Sequence, residues 1–206
     1  MKTTDAMAHS ALVERYLAGL RQVLPQAWRD ELALATGASA AQLEALRGAY
    51  PQCPSSLLAL LAQCNGTWHQ PYAGGTVSVY LLGSDVFEYP YYLSSVEQIL
   101  EDHRANTRSI ADIYGHYLQE EPGLVDARID ASLPQGQRLC FSHCMNNGGS
   151  SRLYVDFAPA PGGRCGQIVR YLHDPDNYQV IADSFDAYLQ ALIDGDYGFL
   201  IDDYFD

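Results

Sequence analysis

The chain has 206 residues, 48% of them hydrophobic and 18% charged, which suits one folded domain with an ordinary core and excludes wholesale disorder. Its net charge of −13 repels nucleic acid and anionic membranes and favours a basic protein partner. No apolar run reaches membrane-span length, and the opening MKTTDAMAHSALVERYL lacks the apolar block of a secretory signal, so a cytoplasmic location is expected.

In chain order, the first part reads as helical. Leu12, Val13, Tyr16, Leu17 and Leu20 recur at helical spacing, and Pro25 marks a break or a new first turn. Ser39 and Gln42 have the form of a capping box, after which Leu43, Leu46 and Tyr50 share one face. Pro51 ends that helix and Pro54 opens another, closed by Asn65-Gly66, which tolerates left-handed geometry.

The period then changes. Val77, Val79 and Leu81 alternate, predicting a strand over 76–82. Ser94 with Glu97 reads as a second capping box, leading a helical stretch through Leu100 that resumes at Ile110, Ile113, Tyr114, Tyr117 and Leu118. Residues 119–136 read as a polar loop. Strands are expected over 138–144, 151–157, 166–173 and 178–182, with Gly148-Gly149 and Gly162-Gly163 as hairpin turns. Along 151–157, Leu153, Val155 and Phe157 face one way and Arg152, Tyr154 and Asp156 the other.

Ser184 caps a final helix with an apolar stripe of Phe185, Tyr188, Leu189, Leu192 and Ile193. Consecutive short strands with helices before and after them define an α+β domain: a mainly antiparallel sheet with N-terminal helices, a mid-chain helical insertion over 83–136 and a C-terminal helix packed on it. The whole of 1–206 is read as one domain, with 1–36 as a helical extension, 37–193 as the core and 194–206 as an acidic, aromatic tail.

Chemistry-bearing clusters are sparse. CFSHC brings Cys140, His143 and Cys144 close together, with Cys165 as a possible fourth zinc ligand. The spacing matches no common zinc pattern, and Cys140 and Cys144 read as ordinary core cysteines on one face of a strand. An odd count of five cysteines suits reduced thiols. Nucleophile, P-loop, dinucleotide and metalloprotease motifs are missing, so neither an enzyme nor a cofactor or metal is expected.

The recognition signals are charge and tyrosine. All 12 Lys and Arg lie at or before Arg170, whereas 171–206 holds nine Asp and no Lys or Arg. Asp174, Asp176, Asp194, Asp196, Asp202 and Asp203 are therefore candidate contacts for a basic partner. VFEYPYYL adds Tyr89, Tyr91 and Tyr92, either as an interface cluster or as a connector packed on the sheet. Asp156, at the end of its strand, is a further candidate.

Two stretches resemble the Smi/Knr family of the SUKH superfamily. GASAAQLEALRGAYPQCPSSLLALLAQCNGTW matches its opening signature through Leu43-Glu44, Pro51, Pro54 and Asn65-Gly66. SSRLYVDFAPAPGGRCGQIVRYLHDPDNYQVIADSFDAYLQAL is similar to its other half: a strand ending in Asp156, a Pro/Gly turn, the GQIV strand and a last helix. The resemblance implies an α+β binding domain. Bacterial members look like immunity proteins that neutralise toxin domains, often nucleases, and fungal members are regulators linked to cell-wall synthesis. It therefore implies a basic toxin domain as partner, with an intracellular adaptor or regulator as the alternative and a cysteine- or metal-dependent enzyme as the third reading.

Overall fold

The structure, a computed structural model, describes residues 2–201, with side chains from Ala8 onward. The chain is helical up to Leu61: α1 (Lys2–Val23), α2 (Gln26–Leu32), α3 (Ala40–Ala49) and α4 (Ser55–Leu61). The Ser39 box is present, Gln42 N–H donating to Ser39 Oγ at 3.3 Å and Ser39 N–H to Gln42 Oε1 at 2.6 Å. Pro25 and Pro54 both sit at N-caps, where a missing N–H costs nothing.

A small hairpin follows, β1 (Gln70–Tyr72) against β2 (Gly75–Val77). The strand expected over 76–82 ends at Val77. Val79 and Leu81 keep the alternation and are buried, but their N–H groups donate singly to Thr67 O and Tyr91 O, so the chain stays extended without a ladder.

The main sheet has five antiparallel strands in sequence order: β3 (Tyr92–Leu93), β4 (Leu139–Asn146), β5 (Gly149–Asp156), β6 (Gln167–Leu172) and β7 (Asn177–Ala182). Tyr92 and Leu93, expected to be an interface cluster or a connector, form the edge strand. The first tight turn is Asn147-Gly148, both left-handed (φ 47° and 84°), as a two-residue hairpin requires, so Gly149 belongs to β5 rather than to the turn. A Cβ at Gly149 would lie 2.3 Å from the His173 ring, which packs directly over this hairpin.

Between β3 and β4 come α5 (Val96–Ala105), α6 (Ile110–Tyr114) and α7 (Tyr117–Glu120). The cap of α5 is Ser95 with Gln98, one residue later than the Ser94–Glu97 reading. Two overlapping Ser-x-x-polar registers compete here, and Asn65 Oδ1 decides between them by accepting the Val96 N–H at 2.9 Å. The polar 119–136 stretch is irregular after α7, and a 3-10 turn at Gln135–Gln137 leads into β4.

The sheet separates two cores. Helices α1, α4 and α8 (Phe185–Asp194) cover one face, with Val13, Tyr16, Leu20, Phe141, Leu153 and Phe185 all buried there. Tyr197 and Phe199 dock on the same core, the Tyr197 hydroxyl donating to Tyr16 O at 2.9 Å. The other face carries a smaller cluster of Ile110, Ile129, Cys140, Tyr154, Val169 and Tyr178 under the α6–α7 insertion.

Candidate functional site

Phe141 is an extra residue in β4. Cys140 pairs with Tyr154 and Ser142 with Leu153, so a bulge at Phe141 shifts the facing of everything after it. Cys140 therefore lies in the smaller cluster and Cys144 in the larger one, on opposite sides of the sheet rather than on one face as expected. Cys165 stands exposed on the β5–β6 connection. Among the described residues, no group of three or more His, Cys, Asp or Glu is placed to hold a metal ion.

The same shift puts His143 beside Cys140 on the less covered face. Three hollows run across that face. The first, about 200 Å³, is lined by Trp68, Asp102, Cys140, His143, Met145 and Arg152 among others. The second, about 360 Å³, shares Ser150 and Arg152 with it and continues over Tyr154, Tyr171 and Tyr178 to Tyr114. The third, about 500 Å³, shares Tyr114 and is walled by Tyr117, Glu121, Asp174 and Asp176. Of the seven large hydrophobic side chains exposed among the described residues, Trp68, Met145, Ile113 and Tyr117 stand along this groove. Apolar exposure concentrated in one groove is the kind of surface on which a partner can bury area.

The third hollow is acidic. Asp174 and Glu121 are exposed on its rim. Asp176 accepts from the hydroxyls of Tyr114 and Tyr171, the latter at 2.9 Å, and His173 Nδ1 lies 3.3 Å away. Burial works against the Asp176 carboxylate, but donation from Tyr114 and Tyr171 outweighs it and holds the pKa below the usual range. An ionised carboxylate between tyrosine rings suits a cationic side chain.

Elsewhere, candidates separate. Asp156 is fully buried, with Arg138 Nε 3.6 Å from its Oδ1 and Gln167 Nε2 donating at 3.1 Å, so it serves an internal pair rather than a partner. Alternation gives its face, but its neighbours Gln167 and Arg138 are tied there to the carbonyls of Arg128, Asp130 and Leu133, which close that end over. Tyr91 is buried in the larger core, while Tyr89 and Tyr92 are half-buried. Asp194, the last residue of α8, and Asp196 just past it are exposed, at the end of an element packed on the opposite face of the sheet. Asp202 and Asp203 lie outside the described residues. Among the described candidates, Asp174 and Asp176 come together in one hollow. Sequence reasoning missed Glu121, Tyr114 and Tyr117 as their partners, because the insertion carrying them is some sixty positions away in the chain, Tyr114 and Asp176 being 62 apart.

Neither cysteine of the CFSHC run is primed as a nucleophile. Burial pushes the Cys140 thiol up to about 12 and the Cys144 thiol up to about 11. No helix among the described residues is long and apolar enough to cross a membrane. A scan of protein-family models matches residues 37–191 to the SMI1 / KNR4 family (SUKH-1). A search of curated proteins found no match to the chain.

Proposed function

The chain belongs to the SMI1 / KNR4 family (SUKH-1), and from that premise we propose that it is a non-enzymatic protein-binding domain, an immunity protein that binds a basic toxin domain and neutralises it. The observation that carries this reading is the acidic, tyrosine-walled hollow of Glu121, Asp174 and Asp176 at the end of a groove lined by exposed apolar side chains. A lysine or arginine of the partner enters between Tyr114 and Tyr117 and meets carboxylates, while Ile113, Trp68 and Met145 bury apolar surface along the groove. The high thiol pKa values of Cys140 and Cys144 support a binding role over covalent catalysis. A toxin nuclease has a basic cleft for its substrate, and a partner of net charge −13 is drawn to such a cleft and blocks it.

The test is co-expression and co-purification with the products of the genes adjacent to its own, followed by association kinetics with any toxin domain captured, over a range of salt. The double variant Glu121→Gln/Asp174→Asn is expected to slow association about tenfold at low salt and to flatten its salt dependence. Association that is indifferent to salt and to both substitutions sinks the reading.

A further inference from the structure

The first hollow has a chemistry different from the acidic one. Four buried side-chain N or O atoms among the described residues have no hydrogen-bond partner within the chain, and two of them, Asp102 Oδ2 and His143 Nε2, belong to residues that line this one cavity. Buried polar atoms are almost always paired, so two orphans just behind the wall of one hollow point to an external group that reaches both with a small side-chain adjustment. We propose that this hollow receives a primary carboxamide, the side-chain group of asparagine or glutamine, presented by the protein partner. That a protein presents it rests on the binding role proposed above; the chemistry of the site does not.

Its selectivity follows from what each atom can do. Asp102 Oδ1 is already occupied, by Arg152 Nη1 at 2.7 Å and Asn106 Nδ2 at 2.6 Å, leaving Oδ2 as a pure acceptor that needs an N–H or O–H. His143 Nδ1 lies 3.5 Å from Ser94 Oγ. Where the Ser94 hydroxyl donates to Nδ1, Nε2 carries the hydrogen and needs a carbonyl; in the other tautomer Nε2 needs a second N–H. A carboxamide offers two N–H groups and one C=O, so it serves Asp102 together with either tautomer.

Charged groups fare worse. A carboxylate has no hydrogen for Asp102 Oδ2. An ammonium finds that carboxylate already neutralised by Arg152, whose guanidinium repels it. Burial and the Arg152 charge bring the His143 pKa down to about 4, so the ring is neutral and adds no charge of its own. Trp68 meets the His143 ring edge-on, centroids 4.6 Å apart, and with Met145 supplies apolar wall for the methylenes of the entering side chain. About 200 Å³ suits one side chain of that size.

The experiment uses the intact chain labelled with nitrogen-15 and the small probe N-acetylglutamine methylamide, without any toxin. The Trp68 indole N–H is followed, with Trp28 as the internal control. A saturable shift of Trp68 alone is expected, with a dissociation constant on the order of 1 mM for a ligand this small. The corresponding glutamate and lysine probes are expected to bind at least about tenfold more weakly, since each forfeits a buried pairing. His143→Phe, which removes Nε2 but keeps a ring against Trp68, should abolish the preference for the amide. The comparison of probes on the unaltered protein does not depend on that variant folding. If Trp68 shows no saturable shift, or the three probes bind alike, the hollow holds only water and the proposal falls. A failure of toxin binding leaves this result untouched, so the two readings fail separately.

Discussion

On one face of the five-stranded sheet, Leu139, Phe141, Leu153, Val155 and Ile168 are fully buried beneath helices; on the other, Arg152, Tyr154, Tyr171 and Tyr178 carry hydroxyls and charge into a groove. The first face is held by area removed from water, and the second by directed polar contacts that leave room between them. Arg152 pairs with Asp102, and Tyr114 and Tyr171 pair with Asp176, so the open face pairs most of its polar atoms internally and keeps a few for something else. The bulge at Phe141 lets one strand serve both purposes: it sends Phe141 and Cys144 to the packed side and Cys140 and His143 to the groove. On the proposed reading, stability and recognition are divided across the thickness of a single sheet.

Substitutions on the two faces should separate these roles. Phe141 is fully buried with its ring edge-on to Phe185 and Tyr188, at 5.2 and 5.8 Å between centroids. Phe141→Ala is expected to cost about 3–5 kcal/mol in denaturant unfolding, the largest effect of the series. A loss below about 1 kcal/mol would mean that the packed face is not what holds the sheet.

Next in size is the acid sensitivity of His143. Its folded pKa, lowered by burial and by Arg152 to about 4, lies below the value of about 6.5 for an unfolded histidine. Between those values the unfolded chain binds the proton and the folded chain does not. Its contribution is therefore fully present above pH ~6.5 and is lost as pH falls towards 4, by an amount on the order of 3 kcal/mol at most. Asp102 acts in the opposite sense, because burial raises its pKa despite Arg152, and protonation below the folded value then favours the folded state. The histidine share is isolated by comparing the stability–pH curve with that of His143→Asn. If the two curves run parallel from pH 7 to 4.5, His143 is not held neutral by the fold.

Much of this architecture was legible in the sequence, for identifiable reasons. The four long strands and α8 declare themselves because each buries one face against a core, and such burial imprints period 2 or 3.6 on the residues. The resemblance to the Smi/Knr family held over the matched 37–191 because it rested on turn and helix-end residues, which punctuate a fold. The bulge was invisible, since one inserted residue leaves every residue type unchanged while reversing the facing of all later strand positions, and Cys140 and Cys144 were placed on one face as a result. Asp156 shows a related limit: alternation tells which face a side chain takes but not whether that face is covered there. The acid count of 171–206 located charge along the chain. It did not reveal that Asp174 and Asp176 join Glu121 from a distant insertion while Asp194 stands on another layer.

The smallest expected effect on stability is the most informative about function. Tyr117, on α7, is 45% exposed and forms one wall of the acidic hollow. It belongs to neither buried cluster, so Tyr117→Ala should change unfolding free energy by no more than about 0.5 kcal/mol. If a cationic side chain seats between Tyr114 and Tyr117, the same substitution removes a desolvated cation–π contact and weakens partner binding by roughly tenfold, mainly through faster dissociation. Glu121→Gln and Asp174→Asn instead act on the association rate, because their charge is felt before contact. Dissociation altered by the tyrosine and association altered by the acids would place the hollow inside the interface. A Tyr117→Ala protein that binds its partner unchanged would put the interface elsewhere, and the exposure of this face would then need another cause.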